Sequence, residues 1–145
     1  MIKIIVLGKL KEQYLEDMIN DYLKRLQKYH KCELIELKDE NNLELEAKNI
    51  MRYISPNDYV ITLEIEGHEL SSEQLAFKID KLFIDYSTIT FIIGSSYGLS
   101  DTIKKRGNYA LSFGHFTYPH GLFRGILLEQ IYRAFKINNN EAYHK

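Results

Sequence analysis

The stretch TITFIIGSSYGLSDTIKKRG, residues 88–107, decides the fold. Thr88 to Ile93 is apolar and β-branched, the pattern of a strand buried on both faces. It runs directly into the loop Gly94-Ser95-Ser96-Tyr97-Gly98-Leu99. Ser100 and Asp101 then offer caps for a short helix carrying Lys104, Lys105 and Arg106, and Gly107 ends it. Strand, loop and helix in that order are the repeating unit of an α/β protein.

The same alternation extends in both directions. Upstream, Ile2 to Leu7 is an apolar run closed by Gly8. From about Leu10 to Tyr29, Tyr14, Leu15, Met18, Ile19, Tyr22, Leu23 and Leu26 recur at helical spacing. Cys32 to Leu37 reads as a strand, and a weaker helix with Leu43, Ala47, Ile50, Met51 and Ile54 stops at Ser55-Pro56-Asn57-Asp58. Tyr59 to Ile65 is a strand ended by Glu66-Gly67, and Ser71 with Gln74 has capping-box spacing for a helix from about Ser72 to Phe83. Downstream, Tyr109 to Phe113 is a fifth strand, and Pro119 suits the first turn of a long final helix. The fold class is therefore α/β, a mostly parallel sheet flanked by helices, with residues 1–145 forming one domain.

At this length a chain buries roughly two thirds of its unfolded surface, so it folds without disulfide or metal staples. The one cysteine, Cys32, reads as a buried small hydrophobe, and the histidine spacing fits no ordinary zinc pattern. The absence of any long uncharged apolar run argues against a membrane span, and the expected location is cytoplasmic.

The net charge of −1 conceals an uneven distribution. Residues 1–31 hold seven Lys/Arg against four Asp/Glu, residues 32–101 five against fourteen, and residues 102–145 seven against two. If the two ends of the chain meet, they form a basic face attractive to phosphates, or else a set of solvated faces.

Ligands of open α/β sheets bind beyond the carboxyl ends of the strands. Three loops lie there: the one after Leu63, the one beginning at Gly94, and Gly114 to Pro119. The Gly94 loop is neither a dinucleotide fingerprint nor a P-loop, and two glycines after a strand also suit a plain turn. In the last helix Leu127, Leu128, Ile131, Ala134 and Phe135 form an apolar stripe, with Arg124 in its middle. A guanidinium there either snorkels out or pairs with a carboxylate, or it meets an anion or substrate at the mouth of a site. Gly125 in the same helix suggests close approach of another backbone, such as a partner helix. The tail Ala142-Tyr143-His144-Lys145 buries little, yet carries a phenol, an imidazole and an ammonium.

Taken together, Phe91-Ile92-Ile93-Gly94 with Gly98-Leu99, Leu111-Ser112-Phe113, Thr117, Pro119-His120, Arg124, Glu129-Gln130, Tyr132-Arg133-Ala134 and Glu141-Ala142-Tyr143-His144-Lys145 resemble the RlmH family of ribosomal RNA methyltransferases, of the SPOUT or α/β-knot class. The resemblance covers nearly the whole chain. Ser95 stands where that family commonly has a second glycine, Asn140 where many members have glycine, and the Lys38–Asn42 connection is short.

The resemblance implies a C-terminal trefoil knot and a homodimer. It also implies transfer of a methyl group from S-adenosylmethionine to N3 of a pseudouridine in 23S rRNA, in the ribosome's intersubunit-bridge hairpin, without a metal. Carried over by position, the cofactor is held by Leu63, Gly94, Phe113, Gly114, His115, Phe116, Thr117 and Tyr118. His144 is the candidate base, with Arg124 or Arg133 stabilising developing negative charge. Tyr143 is expected to stack on the base, and Lys145, Lys104, Lys105 and Arg106 to meet phosphate. The alternatives are a SPOUT methyltransferase for another RNA position and a catalytically inactive dimer that binds RNA or the ribosome.

Overall fold

The computed structural model describes residues 1–145. Ten elements alternate: β1 (Ile2–Leu7), α1 (Gln13–Leu26), β2 (Cys32–Leu37), α2 (Leu43–Met51), β3 (Tyr59–Glu69), α3 (Ser72–Asp85), β4 (Ile89–Ile93), α4 (Asp101–Arg106), β5 (Tyr109–Ser112) and α5 (His120–Asn138). The strands form one sheet in the order β2-β1-β4-β3-β5, and every pairing is parallel. β1 and β4 lie centrally, which is why both are buried along their whole length.

Alternation of side chains along the strands feeds two cores. On one face Ile2, Ile4, Val6, Phe91 and Leu111 pack under α1, α3 and α5; on the other Ile5, Val60 and Ile92 meet Ala47 and Ile50 of α2 and Ile103 of α4. Lys3, buried at the base of β1, is ion-paired at 2.8 Å with Asp58 and donates to the Tyr53 carbonyl, so its charge is compensated where the strands begin. No helix is long and apolar enough to cross a membrane.

Several boundaries differ from the expectations in instructive ways. α1 begins at Gln13 rather than Leu10, because Glu12 is extended without a side-chain cap and Leu10 instead packs beside Gly121 at the start of α5. β3 does not end at Ile65. After Leu63 it bulges outward over four residues and returns, so that Leu63 and His68 both face Leu111 of β5. Gly67 makes the return possible, since a Cβ there would lie 2.7 Å from the Ala110 carbonyl oxygen. The capping box of α3 forms as expected, with Ser71 and Gln74 each satisfying the other's backbone amide.

In α5 the space left by Gly125 is filled by the Met18 side chain of α1, not by another backbone or a partner helix. α1 and α5 therefore pack directly, and the two ends of the chain do meet. Arg25 of α1 and Lys28 in the turn after it stand over the rings of Tyr22, Tyr132 and Tyr29, beside Lys136 of α5. Glu141 partly neutralises this cluster by pairing with both Lys28 and Lys136.

Candidate active site

Beyond the carboxyl ends of β3, β4 and β5 lies a cleft of about 320 Å³. The β3 bulge supplies one wall, with Leu63, Glu64, Ile65 and Glu66. The loop after β4 supplies the floor. A Cβ on Gly94 would sit 2.5 Å from the Gly98 carbonyl oxygen, so only glycine lets this loop close on itself; Gly98 N–H donates to the Ser95 carbonyl at 2.8 Å. The loop after β5 supplies the other wall. There Ser112 Oγ donates to the Ile65 carbonyl at 2.8 Å and accepts from Gly114 N–H at 3.0 Å, tying the β5 loop to the β3 bulge. Tyr118 Oη donates to the Phe113 carbonyl, and Phe113 meets Phe123 edge-on with ring centroids 5.1 Å apart.

Of the eight residues expected to hold a cofactor, Leu63, Gly94, Phe113, Gly114, Phe116, Thr117 and Tyr118 line this one cleft. His115 does not. Sequence reasoning missed the contribution of Ile65, Glu66, Phe123 and His120. The first two follow Leu63 in a loop that the strand end did mark, but Glu66-Gly67 there reads equally well as a plain turn. The donor set suits an adenosyl group bearing an amino acid: Leu63, Leu99 and Phe123 provide apolar wall for a purine, and the Glu64 and Glu66 carboxylates provide acceptors for hydroxyl and ammonium groups. Phe116 is 80% exposed on the rim. No group of three or more His, Cys, Asp or Glu side chains is clustered so as to hold a metal ion.

Ser95 lines the cleft, but its hydroxyl turns away from it. Its hydroxyl donates to Glu46 Oε1 of α2 at 3.1 Å, both residues being buried, and Glu46 Oε2 accepts from Glu40 N–H at 3.0 Å. Burial raises the Glu46 pKa, and nearby Asp39 raises it further. The serine therefore anchors the loop to α2.

Arg124 is 2% exposed. Its Nη1 pairs with Glu36 Oε2 at 2.9 Å, and its Nη2 donates to the carbonyls of Leu7 and Gly8 at 3.0 and 2.9 Å. Of the two readings open for it, this is the paired one. Burial lowers its pKa, and Glu36 opposes that shift. Arg106 is likewise committed, donating to the carbonyls of Ser55 and Asp58 and to Asn108 Oδ1. Lys104 borders the cleft 3.9 Å from Glu64, whereas Lys105 is exposed on α4.

The tail folds back over α5 instead of entering the cleft of its own chain. Asn140 turns it, with φ of +55°, a conformation asparagine tolerates. Tyr143 packs edge-on against Tyr132 at 5.0 Å, with the Arg133 guanidinium 4.8 Å from its ring centroid. Burial raises the Tyr143 pKa. Arg133 also donates to Glu129 at 2.8 Å and to His144 Nδ1 at 3.0 Å, while His144 Nε2 lies 2.6 Å from Glu73 Oε1. Because a guanidinium can only donate, Nδ1 is the acceptor and Nε2 carries the hydrogen. In this position the imidazole has no free lone pair. Lys145 is exposed.

Comparison with known proteins converges on one family. The family described as "Predicted SPOUT methyltransferase" matches residues 1–144. Proteins named ribosomal RNA large subunit methyltransferase H are 47% identical in Streptococcus agalactiae serotype III and 46% identical in Enterococcus faecalis, each alignment covering 99% of both chains. The one from Clostridium acetobutylicum is also 46% identical over the same shares. Among solved structures, the SpoU methyltransferase AviRb from Streptomyces viridochromogenes, crystallised with the cofactor AdoMet, superposes with a TM-score of 0.50 at 8% identity. That match covers 95% of this chain and 60% of the other, and it speaks to the fold alone.

Proposed function

This chain belongs to the SPOUT methyltransferases, within the ribosomal RNA large subunit methyltransferase H group, and from that premise we propose that it transfers a methyl group from S-adenosylmethionine to N3 of a pseudouridine in the intersubunit-bridge hairpin of 23S rRNA. The observation that carries this reading is the convergence of the strand-end loops after Leu63, Gly94 and Phe113 on one cleft with an apolar wall and an acidic rim. The enzyme works in the cytoplasm as a homodimer, with the C-terminal trefoil knot of its class.

Bound there, S-adenosylmethionine supplies an electrophilic methyl on a sulfonium that is already an excellent leaving group. What remains for the protein is to align the acceptor and to help N3 lose its proton. Arg124 keeps the ends of β1 and β2 together beneath the site through Leu7, Gly8 and Glu36. The tail serves the partner's cleft: once it leaves Arg133 and Glu73, His144 Nδ1 is free to accept a proton and the Tyr143 ring is free to stack. Arg133 stabilises charge developing on the carbonyl oxygens of the base.

The test is mass spectrometry of 23S rRNA from cells with and without the gene, joined to calorimetric titration of the purified protein with S-adenosylmethionine. Loss of one methylpseudouridine in the deletion strain, restored by the gene, is the expected result. An unchanged modification pattern excludes this substrate, and absence of cofactor binding excludes methyl transfer altogether.

A further inference from the structure

A second cavity, of about 200 Å³, opens beside the first. It lies where the chain parts: the connection from β1 leads to α1 on one face of the sheet, whereas that from the adjacent β4 leads to α4 on the other. Such a switch point leaves a crevice at the strand ends, the position at which open α/β sheets take ligands. Lys9 and Lys11 follow β1, Asp39 follows β2, and Ser95, Ser96 and His120 form a wall shared with the cofactor cleft. The volume is below the roughly 300 Å³ at which pockets accept a whole drug-sized ligand. It suits a single ring, not a second cofactor.

We propose that this crevice is the subsite for the acceptor nucleotide of the RNA, an inference that rests on the methyltransferase reading above. The chemistry of the lining fits a uracil-type base. Two carbonyls and an imide N–H need donors and an acceptor, and the Ser96 hydroxyl, the His120 imidazole and the Asp39 carboxylate offer both. Buried Arg124 borders the same space, and its Nε is a buried donor with no hydrogen-bond partner. At the entrance Lys9 and Lys11 are exposed, and neither takes part in an ion pair within 4.0 Å. They are available to a flanking phosphate in a way that Arg106, committed to the turn before β3, is not. Because the wall of Ser95, Ser96 and His120 belongs to both cavities, a base seated here is adjacent to the methyl donor, as direct transfer requires.

The experiment uses the full-length protein and ribosomes that lack the modification. The double variant Lys9→Ala/Lys11→Ala is compared with wild type in S-adenosylmethionine affinity, KM for ribosomes, and the salt dependence of ribosome binding. Cofactor affinity and melting temperature are expected to stay unchanged, KM to rise at least about tenfold, and the slope of log K against log salt to fall by about one per lysine. In parallel, ribosomes with a photoreactive uridine analogue at the acceptor position are crosslinked to wild-type enzyme. Crosslinks are expected in the peptide around Lys9–Lys11 or at His120. If cofactor affinity is intact while KM and salt slope do not move, or if crosslinks fall only on α4 and the tail, the subsite is wrong although the enzyme is a methyltransferase. If wild-type protein binds no cofactor, the subsite and the methyltransferase reading fall together.

Discussion

Arg124 and Glu36 are 88 positions apart in sequence and 2.9 Å apart in space, with the arginine buried and the Glu36 side chain 35% exposed. The same guanidinium donates to the last carbonyl of β1 and the one after it, so it joins β1, β2 and α5 at the end of the sheet where both cavities open.

Replacing Arg124 by methionine keeps much of the packing but leaves buried carbonyl oxygens without donors. The expected loss is about 2–3 kcal/mol of stability, the usual cost of unsatisfied buried polar groups. Urea unfolding checks this. Arg124→Lys should fall between the two, since one ammonium cannot span the three acceptors a guanidinium reaches.

Burial of Glu46 makes stability depend on pH in an unusual direction, although its hydrogen bonds from Glu40 N–H and the Ser95 hydroxyl work against the shift. Glu46 has a folded-state pKa raised above the ordinary value of 4.5 by burial and by Asp39, so the native state binds this proton more tightly than the unfolded chain. Its contribution is therefore greatest in acid and is lost as pH rises from about 4.5 through the raised value. Glu46→Gln removes this titration while keeping an acceptor for Ser95. The difference in melting temperature, wild type minus variant, should become more positive on acidification; a difference independent of pH would refute the assignment.

Gly94→Ala should weaken S-adenosylmethionine binding by more than tenfold, equivalent to about 1.4 kcal/mol, because its Cβ would meet the Gly98 carbonyl at 2.5 Å and force the floor of the cleft open. Calorimetry reads the affinity directly. Unaltered binding would remove this loop from the cofactor site.

His144→Ala, or deletion of residues 142–145, should slow single-turnover methylation by about a hundredfold or more, the range for loss of a positioned proton acceptor. His144→Ala should leave the melting temperature nearly unchanged, because the His144–Glu73 contact lies at the surface, whereas the deletion also removes the packing of Tyr143 on Tyr132. Mixing a tail-deleted protomer with a Gly94→Ala protomer should restore activity in the hybrid dimer, since one subunit then supplies an intact cleft and its partner an intact tail. No recovery would place the tail's action within its own chain.

Much of this was legible in the chain itself. β1 and β2 occupy the residues expected from their apolar runs, and the caps at Ser71 and Ser100 sit where side-chain chemistry called for them. The three loops singled out at strand ends converge on the cleft. The misses share a cause. Leu10 left its helical period to pack at Gly121, and β3 continued past Glu66-Gly67 because it could return to β5; in each case a distant contact outweighed a local preference. His115 fell outside the cleft although its neighbours line it, since adjacent residues in an extended loop need not face the same way.

The sequence alone determined the succession of strands and helices, the burial of each face and the family to which the chain belongs, because periodicity and capping are local and motif order is linear. Tertiary structure decided the strand order, the carboxylate that meets Arg124, the methionine that fills the space at Gly125 and the parting of the chain between β1 and β4. Periodicity states which side of an element is apolar but not which element will cover it. Those partners are chosen by long-range pairing of the strands, and the cavities beyond the strand ends exist only once that order is set.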